Sequence, residues 1–126
     1  MAVPEQPSSA PLILVCDDEA MIVMLAQDVL NDSGYRVIGA TNASDAFTLL
    51  ERDPDIALVF TDVDMPGTLN GADLARLAIA RRPDLPVIVT SGKPPTVALP
   101  PGASFLAKPY RLDDLVAHVA GRLARG

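Results

Sequence analysis

The chain has 126 residues, 49% of them hydrophobic, with a mean hydropathy of +0.27, the size and composition of one domain around a single core. Sixteen Asp and Glu against ten Lys and Arg give a net charge of -6, so neither nucleic acid nor an anionic membrane surface has electrostatic support as a partner. Aromatics make up 4% and Trp is absent, which argues for an aliphatic, layered core and against a base-stacking platform.

Residues 1–11 hold three prolines, two serines and no basic residue, which predicts a disordered leader rather than a signal peptide. Residues 12–126 form the domain. Leu12 to Cys16 is a continuous β-compatible run ending in Asp17, Asp18 and Glu19. Ile22, Leu25, Ala26, Val29 and Leu30 then fall at helical spacing, closed by Ser33-Gly34. Arg36 to Ala40 is a second strand. A second helix starts at Ser44, turns Ala46, Phe47 and Leu50 to one face, and stops before Pro54.

Ile56 to Phe60 is a third strand, apolar without alternation as in a sheet covered on both faces, and it ends in Thr61-Asp62. After the loop Val63 to Asn70, Leu74, Leu77 and Ala78 mark a third helix ending at Arg82-Pro83. Val87 to Thr90 and Ser104 to Ala107 are the last two strands, and Leu112, Leu115, Val116, Val119 and Leu123 outline the final helix. Between those two strands, Lys93 to Gly102 carries four prolines, so a fourth helix there is expected to be shortened or irregular.

Strands alternating with helices predict an α/β fold, a doubly wound five-stranded parallel sheet in the flavodoxin-like order 2-1-3-4-5. Ligands of such sheets collect at the carboxyl ends of the strands. Asp17, Asp18 and Asp62 lie just past strands one and three, and Thr90 and Lys108 come to the same rim.

Three carboxylates converging there raise one another's pKa, and a cation is the usual remedy. An all-oxygen site with open access favours Mg2+. With Mg2+, Asp62 can supply a nucleophilic oxygen for phosphoryl transfer, Lys108 can offset phosphoryl charge, and the Thr90 hydroxyl can donate a hydrogen bond to a phosphoryl oxygen. Taken singly, each residue has a plainer reading. Asp17-Asp18-Glu19 suits a helix N-terminus, Asp62 a loop cap, Thr90 a strand interior and Lys108 a solvated surface. Their meeting at one rim is what points to chemistry.

From Leu12 to Leu123 the chain resembles the receiver domain of two-component response regulators. The resemblance rests on the apolar strand running into Asp17-Asp18-Glu19, on Asp62-Val63-Asp64-Met65-Pro66, on Thr90-Ser91, and on Phe105-Leu106-Ala107-Lys108-Pro109-Tyr110. It implies that Asp62 is the phosphoacceptor and that Asp18 ligates Mg2+ directly. Asp17 then acts through water, and the backbone carbonyl of Asp64 completes the protein ligands. It also implies that Lys108 contacts the phosphoryl group, that Lys108-Pro109 is a cis peptide, and that Thr90 and Phe105 are the paired switch residues. The implied phosphodonor is a phosphohistidine on a histidine kinase or a histidine phosphotransfer protein, and the output is an altered surface for a downstream protein target.

Three departures from the family pattern stand out. The loop Pro66 to Gly71 is one residue longer and lacks the acidic residue before the glycine. Asp64 adds a carboxylate beside the phosphoacceptor, where it is expected to affect phosphoryl lifetime. Only 18 positions separate Thr90 from Lys108, fewer than usual, so Lys93 to Gly102 is expected to be a mobile loop with a reduced or altered dimer face, in a monomer or weak dimer.

The end at Gly126 fits a stand-alone receiver or one cut from a larger protein. Self-phosphorylation and self-dephosphorylation at Asp62, without turnover of another substrate, are the expected activities. Asp62-Val63-Asp64 also imitates the nucleophile motif of haloacid-dehalogenase-type phosphatases, but their nucleophile strand comes first and needs a cap. A phosphorylation-independent interaction module is a third reading, against which the intact acids, Thr90 and Lys108 argue. The single cysteine, Cys16, fits a buried strand and a cytoplasmic setting. His118 is expected on the surface of the last helix. The longest apolar run, Ala20 to Ala26, reaches seven residues, far from the roughly 20 a membrane helix needs.

Overall fold

A computed structural model describes residues 7, 9–65, 67, 69–93 and 99–125, without the Arg125 side chain. The elements run β1 (Leu12–Cys16), α1 (Ala20–Asp32), β2 (Arg36–Ala40), α2 (Ala43–Arg52), β3 (Ile56–Asp62), α3 (Gly71–Arg81), β4 (Val87–Ser91), β5 (Ala103–Ala107) and α4 (Leu112–Arg125). All five strands are parallel, in the order β2-β1-β3-β4-β5, as the alternating periods predict.

The helix ends follow from local chemistry. Past α1, Gly34 takes φ +99°, and the amides of Gly34 and Tyr35 return to the carbonyls of Asn31 and Leu30, closing the helix on a residue without Cβ strain. Asn42 caps α2 by accepting from the Asp45 amide at 2.7 Å. Asn70 and Asp73 form a reciprocal capping box at the start of α3.

Two apolar layers enclose the sheet. On one face Leu14, Cys16, Val59 and Val89 pack with Leu50 and Leu74 of α2 and α3. On the other, Ile13, Val15, Phe60 and Ile88 pack with Leu30 of α1 and Leu115 of α4. β1, β3 and β4 contribute to both layers, which is why they lack polar alternation.

Several expectations shift in detail. β3 continues two residues further, through Thr61 and Asp62, where Asp62 pairs in register with Thr90, and β4 continues to Ser91, which pairs with Ala107 of β5. α1 buries Val23, Ala26 and Leu30, whereas Leu25, placed by spacing on the buried stripe, is 48% exposed. Leu77 and Leu112 are likewise partly exposed. No helix stands between β4 and β5 among the described residues, and the middle of that segment, 94–98, lies outside them, as does most of the expected leader. Ala10 is buried at the sheet edge, and its carbonyl accepts from Arg36 Nε at 2.9 Å.

No described helix is long and apolar enough to cross a membrane.

Candidate functional site

The carboxyl ends of β1 and β3 are adjacent, so the residues that follow them meet. Asp17 and Asp62 are each 4% exposed, Asp18 is exposed, and one carboxylate oxygen from each of the three lies within 4.8 Å of the others. Asp17 Oδ1 accepts from the Glu19 amide at 2.9 Å, which turns the chain into α1. The Glu19 side chain makes no capping bond and is not among the three acids of the cluster. Burial, with the nearby charge of Asp62, pushes the Asp17 carboxyl up to about 6 even against the Glu19 bond.

Asp62 is held from two sides. Its Oδ1 accepts from the Asp64 amide at 3.1 Å and its Oδ2 from Lys108 Nζ at 3.0 Å. Burial alone would lower the Lys108 ammonium, but the hydrogen bond and charge of Asp62 outweigh it and raise the group. Lys108 is also anchored through its backbone, where its amide donates to the Ser91 carbonyl at 2.9 Å. The Lys108-Pro109 peptide is cis, and Tyr110 beyond it packs edge-on against Phe60 at 5.9 Å.

Thr90 is fully buried, and its hydroxyl donates to the Leu106 carbonyl at 2.7 Å. It reaches no group of the carboxylate cluster in this conformation. Phe105 is partly buried on β5, in register with Val89. Asp64 is exposed, and its side chain is tied to β4: Oδ2 accepts from Ser91 Oγ at 2.8 Å.

Cys16 is buried beside the cluster and donates to the Met65 sulfur at 3.6 Å; burial pushes its thiol up to about 12, which keeps it neutral. His118 is half-buried rather than fully at the surface, with Nε2 2.9 Å from Ser104 Oγ, well outside this site.

Three features escaped sequence reasoning. Ser91 ties Asp64 through its hydroxyl and Lys108 through its carbonyl; only the adjacency of β3, β4 and β5 reveals this. A Cβ on Gly71 would lie 1.8 Å from the Asp62 carbonyl oxygen, so α3 can start against the phosphoacceptor candidate's backbone only with glycine there. Finally, a cavity of about 610 Å³ opens beside Lys108 and Gly92, walled by Ile22, Leu25, Tyr110 and Leu112, with Met21 and Met24 exposed on the same helix. Met21 and Met24 lie off the predicted stripe, and that was the available signal.

The family comparison agrees with this geometry. Residues 13–120 match the response regulator receiver domain family, and the chain belongs to that family. It is 35% identical over 114 residues to the C4-dicarboxylate transport transcriptional regulatory protein DctD of Rhizobium meliloti, covering 86% of this chain but only 24% of that protein. It is 31% identical over 112 residues to the response regulator receiver protein CpdR of Brucella abortus, covering 85% of this chain and 92% of CpdR. The crystal structure of a CheY-like receiver domain protein from Methanospirillum hungatei superposes with a TM-score of 0.86 at 25% identity, over 93% of this chain and 96% of that one. The chain is therefore a receiver domain of the two-component response regulator type.

Proposed function

We propose that Asp62 is the phosphoacceptor of a two-component phosphorelay, taking its phosphoryl group from a phosphohistidine on a histidine kinase or histidine phosphotransfer protein. The observation that carries this reading is the double hold on Asp62: the Lys108 ammonium on one oxygen and the Asp64 amide on the other. That arrangement keeps the carboxylate oriented while the donor's P–N bond breaks and a P–O bond to Asp62 forms, with the imidazole leaving. Lys108, already at the rim, then meets the charge of the incoming phosphoryl oxygens.

The donor set fits Mg2+. It is all-oxygen, anionic and partly exposed, with one carboxylate oxygen from each of Asp17, Asp18 and Asp62 within 4.8 Å of the others. Asp18 and Asp62 would hold the ion directly, Asp17 through water, and the Asp64 backbone carbonyl would complete the protein ligands. Bound there, Mg2+ supplies charge neutralisation for the phosphoryl oxygens.

Thr90 is the hydroxyl that would turn from the Leu106 carbonyl to the phosphoryl group, with Phe105 on β5 following it and altering the surface offered to a downstream protein. The exposed apolar residues of α1 beside the cavity support a protein donor, since anything delivering phosphate to Asp62 must cross that rim. The setting is cytoplasmic in this reading, and no independent substrate is turned over.

The test is incubation with Mg2+ and acetyl phosphate, followed by mass measurement. One added phosphoryl group is expected on the wild type and none on Asp62→Asn. Equal uptake by both proteins, or none by the wild type, refutes the assignment.

A further inference from the structure

Ser91 is 4% exposed at the end of β4, and its hydroxyl has a definite task. It donates to Asp64 Oδ2 at 2.8 Å and accepts from the Lys93 amide at 3.2 Å. The accepted amide directs the hydroxyl proton toward Asp64. Asp64 is in turn fixed at its backbone, where the amide donates to Asp62 Oδ1 at 3.1 Å. The exposed Asp64 is thus held at two points, its carboxylate by Ser91 and its backbone amide by the side chain of Asp62. Among the described residues no donor reaches its other oxygen, Oδ1. A surface Asp would ordinarily sample several rotamers; this one is tethered by a buried serine on the neighbouring strand.

We propose that Ser91 is a positioning residue for loss of the phosphoryl group: its hydroxyl holds the Asp64 carboxylate where that second oxygen aligns the attacking water. The inference rests on Asp62 being the phosphoacceptor. In the step, the water oxygen forms a bond to phosphorus and the P–O bond to Asp62 breaks. The electron pair returns to the Asp62 carboxylate, inorganic phosphate departs, and the water's proton leaves with the phosphate and solvent. Asp64 contributes by accepting a hydrogen bond from the water, which restricts its approach to the line of attack.

Wild type, Ser91→Ala, Ser91→Thr, Asp64→Asn and Ser91→Ala/Asp64→Asn are labelled with acetyl phosphate and Mg2+. After donor removal, phosphate release is followed, and thermal melts establish that each variant is folded. Ser91→Ala is expected to lengthen the phosphoryl lifetime by about threefold to tenfold, the effect of losing one charge-assisted hydrogen bond. Asp64→Asn should lengthen it at least as much. The double variant should match Asp64→Asn alone, because Ser91 acts through Asp64, and Ser91→Thr should restore the wild-type lifetime. A serine that only stapled the loop would produce neither the non-additivity nor the threonine rescue. An unchanged or shortened lifetime in Ser91→Ala, or additive effects in the double variant, overturns the inference while leaving phosphorylation of Asp62 intact. Absence of label on the wild type overturns both.

Discussion

Lys108 and Asp62, 46 positions apart in sequence, meet at 3.0 Å between Nζ and Oδ2, with Asp62 almost wholly buried and the lysine side chain 31% exposed. The pairing is directional. The buried carboxylate cannot turn away, and the lysine enters from a rim where its backbone is tied to Ser91. Its raised pKa means that the lysine's contribution is fully present below its ordinary value of 10.5 and is lost as pH rises through the higher folded value. Lys108→Met keeps the length of the stem and removes the charge. It should slow phosphoryl uptake from acetyl phosphate by at least about tenfold, since a charged donor to the reacting oxygens is lost. Rates of label incorporation measure this directly.

Asp17 predicts an unusual pH dependence for the metal-free protein. Its folded carboxyl lies near 6, above the ordinary 3.8. Between those values the folded state binds the proton that the unfolded state has released, so stability is greater below pH 3.8 on this group's account and falls as pH rises to about 6. At neutral pH, Asp17→Asn should therefore stabilise the metal-free protein, by about 3 kcal/mol. The same substitution should remove much of the increase in melting temperature that millimolar Mg2+ gives the wild type. Urea titrations across pH, with and without Mg2+, provide both readings.

Gly71 predicts a steric failure. A Cβ at 1.8 Å from the Asp62 carbonyl oxygen and 2.8 Å from the Val63 Cα meets backbone, which cannot swing aside as a side-chain end would. Gly71→Ala gains helix propensity, yet it should lose about 3 kcal/mol or more because β3 and α3 must separate. Chemical denaturation gives the loss, and phosphoryl uptake should fall with it, as the displaced backbone belongs to Asp62.

Thr90 predicts a smaller and separable effect. Thr90→Val preserves the shape on β4 but removes the hydroxyl from the Leu106 carbonyl, costing about 1 kcal/mol. Thr90→Ser keeps the donor and should lie nearer the wild type in denaturant titrations. If Thr90 couples phosphorylation to Phe105, the phosphoryl-dependent change in the Phe105 ring resonances should persist in Thr90→Ser and vanish in Thr90→Val.

Much of the architecture is legible along the chain because local rules write it. Unbroken apolar runs such as Ile13 to Cys16 and Leu58 to Phe60 announce strands covered on both faces. Helix ends announce themselves through Ser33-Gly34 and through the prolines at Pro54 and Pro83. The rim residues Asp17, Asp18, Asp62, Thr90 and Lys108 follow from topology, since strand ends in a doubly wound sheet share one edge.

What the sequence by itself determined is therefore the order of elements and the edge at which its acidic residues would gather. Tertiary structure decided which atoms meet there. Periodicity identifies an apolar stripe but not how much of it a neighbour covers, so Val23 is buried while Leu25 lines an open cavity beside Tyr110. The space at Gly71 and the bond from Ser91 to Asp64 arise between residues brought together by strand pairing, and no local pattern encodes a contact across 27 positions. The charge of -6 began as a property of the whole chain; folding places three of its carboxylates within 4.8 Å of one another, because β1 and β3 lie side by side.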